Sequence, residues 1–124
     1  MRPRAKTLTP QELELMKIIW RRRSATVRDV YEELLERRKI AYTTVMTTLK
    51  TLEQKGYLRA TPQDRAYVYQ PTRAKSQVIK GMVREFVDRV FNGSAEPLLV
   101  HLIEDNQLSE SELREISRMS RRKR

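Results

Sequence analysis

A mainly α chain with one small β-hairpin, an α+β class, is what three features of this 124-residue sequence predict. Apolar residues recur at helical spacing in three successive N-terminal stretches. The period then changes to strand-like alternation on either side of a polar turn. Beyond Pro71 the helical period returns in a series of apolar pairs.

The first helix is the best signposted. Thr9 reads as its N-cap, Pro10 takes the favoured first position and Glu12 completes a capping box. Leu13, Met16 and Trp20 recur at helical spacing beside Leu15, Ile18 and Ile19, so one broad face is buried. Arg21, Arg22 and Arg23 close the helix where cations favour its negative end. A second helix begins at Thr26, with Asp29 three residues on. It runs through Val27, Val30, Tyr31, Leu34 and Leu35 and ends in the basic stretch Arg37-Arg38-Lys39. A third runs from about Tyr42 to Lys55 and stops at Gly56, a C-cap signal. Tyr57 to Thr61 reads as a strand, Pro62 to Arg65 as a turn, and Ala66 to Gln70 as the returning strand, ended by Pro71. Three helices followed by a hairpin with a polar, basic tip is the order of a winged helix-turn-helix.

The remainder reads as helical. From about Arg73 to Phe91 the pairs Val78/Ile79, Met82/Val83, Phe86/Val87 and Val90/Phe91 recur every four residues. That stripe is wider than a helix covering only a small domain needs. Asn92-Gly93 breaks the chain, and Ser94 is placed to cap a short helix carrying Leu98, Leu99, Val100, Leu102 and Ile103. Ser109 and Glu112 form another capping box before Leu113, Ile116 and Met119. The expected organisation is a winged-helix domain at 1–72 and a helical dimerisation region at 73–124 with a basic tail.

Charge points to the partner. Lys and Arg number 26 against 16 Asp and Glu, a formal net charge of +10. An excess of that size calls for a polyanion, either nucleic acid or an anionic membrane surface. It is unevenly placed. Residues 1–72 carry 15 basic against 8 acidic groups, residues 73–117 carry 6 against 8, and Arg118 to Arg124 carry 5 against none. The positive field therefore belongs to the N-terminal half and a short tail, which reads either as a second DNA contact or as a solvated helix end. The middle of the C-terminal half suits another task.

Several function classes drop out. With no cysteine, disulfides, thiolate metal sites and a cysteine nucleophile are excluded together. No apolar run approaches the ~20 residues of a membrane-spanning helix, and nothing resembles a signal peptide, so a cytoplasmic chain without membrane insertion is expected. No glycine-rich phosphate loop, nucleophile motif or pair of histidines occurs, so neither an enzyme nor a cofactor or metal site is expected. The single histidine, His101, reads as a partly buried or interfacial imidazole, with pH sensing as the other reading.

The third helix separates into two faces. Val45, Leu49 and Leu52 share the side expected to pack on the first two helices. Thr43, Met46, Thr47, Lys50 and Gln54 fall on the other, flanked by Tyr42, Thr44 and Thr51. A solvated helix would carry more charge of both signs. Threonine offers a hydroxyl to phosphates or base edges and a methyl to thymine, and lysine offers a donor to guanine or phosphate, so this face suits a major groove. Arg28 joins the candidate DNA contacts. Arg59 and Arg65 lie where a wing grazes the backbone or minor groove, Tyr67 is expected to reach a phosphate, and Tyr69 to pack beneath the wing. The competing reading is a winged helix whose third helix packs against a protein.

At this point the residues resemble a known family. The run Leu8-Thr9-Pro10-Gln11-Glu12-Leu13-Glu14-Leu15-Met16-Lys17-Ile18-Ile19-Trp20, continued by Ala25-Thr26-Val27-Arg28-Asp29-Val30, is similar to the opening of the penicillinase-repressor (BlaI/MecI/CopY) family. Ala41-Tyr42-Thr43-Thr44-Val45-Met46-Thr47-Thr48-Leu49 through Lys55-Gly56-Tyr57-Leu58 is the most distinctive stretch. Arg65-Ala66-Tyr67-Val68-Tyr69 resembles the family's wing, and Phe91-Asn92-Gly93-Ser94 its junction to the last two helices.

The resemblance implies a homodimeric transcriptional repressor whose winged helices occupy two operator half-sites on double-stranded DNA. The residues expected at the dimer interface are Val78, Ile79, Met82, Val83, Phe86, Val87, Val90, Phe91, Leu98, Leu99, Leu102, Ile103, Leu113 and Ile116. Two-fold symmetry predicts a palindromic operator with half-sites in adjacent major grooves or a whole number of turns apart. In the antibiotic-responsive members, a membrane sensor with a zinc metalloprotease domain senses a β-lactam, and repressor cleavage within the second-to-last helix follows. The matching bond here is His101–Leu102, where the better-known members carry Asn-Phe. The cysteine cluster of the copper-responsive branch is absent. A small ligand bound between the dimerisation helices is the alternative trigger.

Overall fold

Residues 7–122 of the computed structural model are described here. Met1 to Lys6, Lys123 and Arg124 lie outside them, and with them part of the basic tail. Among the described residues six helices and three strands follow in order. They are α1 (Pro10–Arg22), β1 (Ala25–Thr26), α2 (Val27–Leu35), α3 (Tyr42–Gln54), β2 (Leu58–Gln63), β3 (Ala66–Pro71), α4 (Lys75–Phe91), α5 (Glu96–Glu104) and α6 (Glu110–Arg122).

Local chemistry sets the helix starts. The Thr9 hydroxyl accepts from the Glu12 amide at 3.1 Å, and the Glu12 carboxylate accepts from the Thr9 amide at 2.9 Å. Thr26 and Asp29 repeat the arrangement at the head of α2, at 3.1 and 3.0 Å. Glu12 has a second task. It is buried, and Lys55 Nζ, just past the end of α3, meets it at 2.8 Å while also donating to the Thr7 carbonyl at 3.0 Å. The start of α1 is thereby tied to the end of α3.

α2 ends at Leu35, earlier than the basic stretch Arg37-Arg38-Lys39. The Arg37 and Arg38 amides both bond the Leu34 carbonyl, which turns the chain away from the helix. Their guanidiniums find Glu33 at 3.4 Å and Glu14 at 2.7 Å. Arg21 and Arg22 also bind Glu33. Burial pushes the Glu33 carboxyl up, but the hydrogen bonds and charges of Arg21 and Arg22 outweigh it and hold the group below its ordinary value.

The sheet is antiparallel in the order β1-β3-β2. β1, which the period does not reveal, sets Ala25 opposite Tyr69 and Thr26 opposite Val68. The hairpin turn is tighter than expected. Pro62 and Gln63 continue β2 opposite Tyr67 and Ala66, leaving Asp64-Arg65 as the turn. A proline is tolerated there because β2 is an edge strand. Asp64 takes a positive φ of 56°, a conformation aspartate accepts more readily than most residues. Beneath the sheet, Leu15, Met16, Ile18, Ile19, Val30, Leu34, Val45, Leu49 and Leu52 are almost completely buried, and Leu58 and Tyr69 close the core.

The chain divides into two units, one running to Ile79 and one starting at Lys80, so the first turn of α4 goes with the hairpin. In the second unit Asn92 and Gly93 turn the chain at φ 53° and 88°. Ser94 does not cap α5. The N-cap is Ala95, without a side-chain bond. With Ala95 as N-cap, Pro97 stands second in the helix, where its missing N–H costs no intrahelical bond. Ser109 and Glu112 do cap α6, at 2.8 and 3.0 Å. Phe91 joins α4 to α5, its ring 5.9 Å from both the Phe86 ring and the His101 ring.

Candidate nucleic-acid interface

The two faces of α3 are set by its period and by what lies beneath it. Val45, Leu49 and Leu52 are fully buried against the core. Tyr42, Thr43, Met46, Thr47, Lys50 and Gln54 are exposed on the outward face, with Thr44 and Thr51 half-buried at its edges. Every residue assigned from sequence to this surface lies on it. Thr48, unassigned from the sequence, is buried on the core side. Its hydroxyl donates to the Thr44 carbonyl at 2.7 Å and accepts from Gln11 Nε2 at 3.0 Å, so no polar atom is stranded there.

α3 begins without a side-chain cap, because Ala41 stands at its N-cap. The Thr44 N–H bonds the Ala41 carbonyl at 3.1 Å, which leaves the Tyr42 and Thr43 N–H groups for water or for an anion, as at phosphate-binding helix starts. Tyr42, the first residue of the helix, is held from the side. Its ring meets the Tyr31 ring of α2 edge-on at 5.2 Å and 78°. Tyr31 was legible only as a member of the α2 apolar series, and its support of Tyr42 appears only in three dimensions.

The hairpin supplies the second part of the surface. Arg59 and Arg65 are exposed, and Tyr67 is 57% exposed, whereas Tyr69 is 5% exposed and packs beneath the wing. Burial pushes the Tyr69 hydroxyl above its ordinary value, with the charges of Glu53 and Tyr67 acting the same way.

Ion pairing distinguishes the cations. Arg21, Arg22, Arg37 and Arg38 are engaged by Glu33 and Glu14. Arg28 pairs with Glu32 at 3.3 Å, both largely exposed, an arrangement weak enough to open toward another anion. Among the described residues Lys50, Arg59 and Arg65 have no acidic partner, and these are the cations of the α3 face and the wing. A surface of unpaired cations, short hydroxyls and open helix amides is chemically matched to phosphate and base edges.

In the second unit, Met82, Phe91, Leu98, Leu99, Leu102, Ile103 and Leu113 are half-buried and Val87 is buried. Val83, Phe86, Val90 and Ile116 are open to solvent, as are Val100 and Met119, which sequence reasoning had not placed at an interface. Val78 is buried and Ile79 half-buried in the first unit. His101 is exposed within α5, and Leu102 beside it is half-buried.

Comparison with known proteins agrees with this arrangement. The profile of the Penicillinase repressor family matches residues 8–122. The penicillinase repressor of Bacillus licheniformis is 31% identical over 109 residues, covering 88% of this chain and 85% of that one. The transcriptional regulator BlaI of Mycobacterium tuberculosis is 38% identical over 95 residues, 75% of this chain and 69% of that protein. The methicillin resistance regulatory protein MecI of Staphylococcus aureus is 22% identical over 116 residues, 94% of each. Among solved structures, the DNA-binding domain of the repressor BlaI superposes with a TM-score of 0.53 at 32% identity, covering 61% of this chain and 92% of that domain. These relatives are regulators of transcription rather than enzymes. From its first capping box to its last helix, the chain belongs to the penicillinase-repressor family.

Proposed function

We propose that this protein is a cytoplasmic transcriptional repressor that binds a palindromic operator in double-stranded DNA as a homodimer. The observation that carries the reading is the outward face of α3, where Thr43, Thr47, Lys50 and Gln54 lie exposed and where Lys50, like the wing's Arg59 and Arg65, has no acidic partner among the described residues. The likeness to the DNA-binding domain of BlaI supports it. No described helix is long and apolar enough to cross a membrane. In this reading residues 1–72 read the DNA and residues 73–124 hold the dimer through the apolar residues open on α4 and α6. One winged helix binds weakly and mostly through salt-sensitive phosphate contacts. Joining two makes the second engagement intramolecular and gains orders of magnitude.

Gel-shift titration against DNA from the protein's own promoter region tests the reading. Thr47→Ala and Lys50→Ala are expected to weaken binding with the fold retained. Unchanged binding in both would remove α3 from DNA readout and favour a winged helix that packs against a protein.

Release follows, in this proposal, from cutting the His101–Leu102 bond by a membrane sensor protease system. The bond lies inside α5, and a protease needs an extended strand, so the helix must first unwind. α5 has nine residues and no side-chain cap, which keeps that opening inexpensive. Co-expression with the cognate sensor protease is expected to give fragments broken near His101. An intact repressor under full induction overturns proteolysis and favours a small ligand as the trigger.

A further inference from the structure

The segment between the hairpin and α4 is gripped at several points. Thr72 donates its hydroxyl to the Gly56 carbonyl at 2.6 Å and its amide to the Tyr57 carbonyl at 3.0 Å. Arg73 is held twice: its carbonyl accepts from Trp20 Nε1 at 2.9 Å, and its guanidinium carbon lies 5.1 Å from the centre of the Tyr57 ring. Val78, in the first turn of α4, is 7% exposed, and the first unit of the chain runs on to Ile79. Thr72-Arg73-Ala74 has neither glycine nor proline, and its first two residues are fastened to Trp20 of α1 and to Gly56 and Tyr57, just ahead of β2.

We infer that Trp20 and Thr72 are positioning residues for operator binding: they clasp residues 72–73 to the winged helix, so that the DNA-reading unit carries the start of α4 rigidly. The inference rests on the dimeric-operator reading above. In a bivalent protein, the gain from the second half-site depends on how well the linkage holds the two heads at the required spacing. A stiff exit raises the effective concentration at one spacing and denies it at others. A loose exit lowers the gain and broadens the tolerated spacings. Trp20 and Thr72 belong neither to the outward face of α3 nor to the wing tip, so half-site reading does not depend on them.

The test uses the full chain with Trp20→Phe, which keeps an aromatic ring and removes the donor, and Thr72→Val, which keeps the shape and removes the hydroxyl. Affinity is measured on a footprinted operator, on its isolated half-site, and on operators with the spacing lengthened base pair by base pair. Each variant is expected to lose about fivefold on the full operator, the effect of one hydrogen bond. Half-site affinity is expected to stay within about twofold, and the preference for the native spacing to flatten. In Thr72→Val the single tryptophan reports the clasp directly, and acrylamide quenching of Trp20 is expected to rise. Parallel losses on half-site and full operator, or an unchanged full-operator affinity in a variant that melts like the wild type, overturn the inference. If Trp20→Phe does not fold, Thr72→Val carries the test alone. A wild-type chain that binds half-site and operator equally well overturns the dimeric reading itself, and the inference with it, before any variant is made.

Discussion

In the first unit, α1, α2 and α3 turn their apolar faces onto one another and onto the sheet, and nine large side chains there are below 2% exposed. In the second unit, Val87 is the one described hydrophobic residue that is buried, at 9% exposure, while Val83, Phe86, Val90 and Ile116 stand 40% to 52% exposed. The helical period is as regular in α4 as in α1, so regular spacing alone does not say what a stripe packs against. The winged helix closes its own core. The second unit carries an apolar surface that calls for a cover, which a second copy of the chain supplies in the proposed dimer.

The largest effect is expected where the self-contained core is opened. Leu49→Ala removes a fully buried side chain and is expected to cost about 2–5 kcal/mol in urea titration. A midpoint unmoved from wild type would mean that the first unit does not depend on that core. Next comes the open stripe. Phe86→Asp places a charge on the exposed face of α4 and is expected to halve the particle mass in sedimentation. Operator affinity is then expected to fall about a hundredfold, with half-site binding kept. A variant that remains dimeric would move the interface elsewhere.

A smaller effect is expected on the surface the first unit presents. Lys50→Ala is expected to cost about 1–3 kcal/mol of operator affinity, with a shallower salt dependence if the contact is to phosphate. The smallest concerns the ion pairs joining α1 to α2. Because the Glu33 carboxyl is held below its ordinary value of 4.5, its stabilisation is complete above that pH and is lost as pH falls through the lower folded value. Glu33→Gln is expected to cost less than about 1 kcal/mol at neutral pH. The gap from wild type then narrows below about pH 4.5. A gap that widens on acidification would contradict the sign.

Features that depend on a few neighbouring residues were legible in the sequence. Thr9 with Glu12, Thr26 with Asp29, and Ser109 with Glu112 bond within a single helical turn, and all three boxes are present. Ser94 misled because α5 starts one residue later, with Ala95 as its N-cap and Pro97 at its second position. β1 was not legible, because Ala25 and Thr26 become a strand only when Tyr69 and Val68 arrive beside them. Thr48 gave no sign of burial, since its hydroxyl is satisfied by Gln11 from another helix.

Apart from β1, the sequence by itself determined the kinds of element, their order and the outward composition of α3, because backbone period and capping are short-range properties. The tertiary structure alone decided which cations remain available. Arg21, Arg22, Arg37 and Arg38 are as basic in sequence as Lys50, Arg59 and Arg65, yet the former meet Glu33 or Glu14 across helices, and among the described residues the latter pair with no acid. Charge is carried by the residue, but its availability depends on distances that close only when the helices pack.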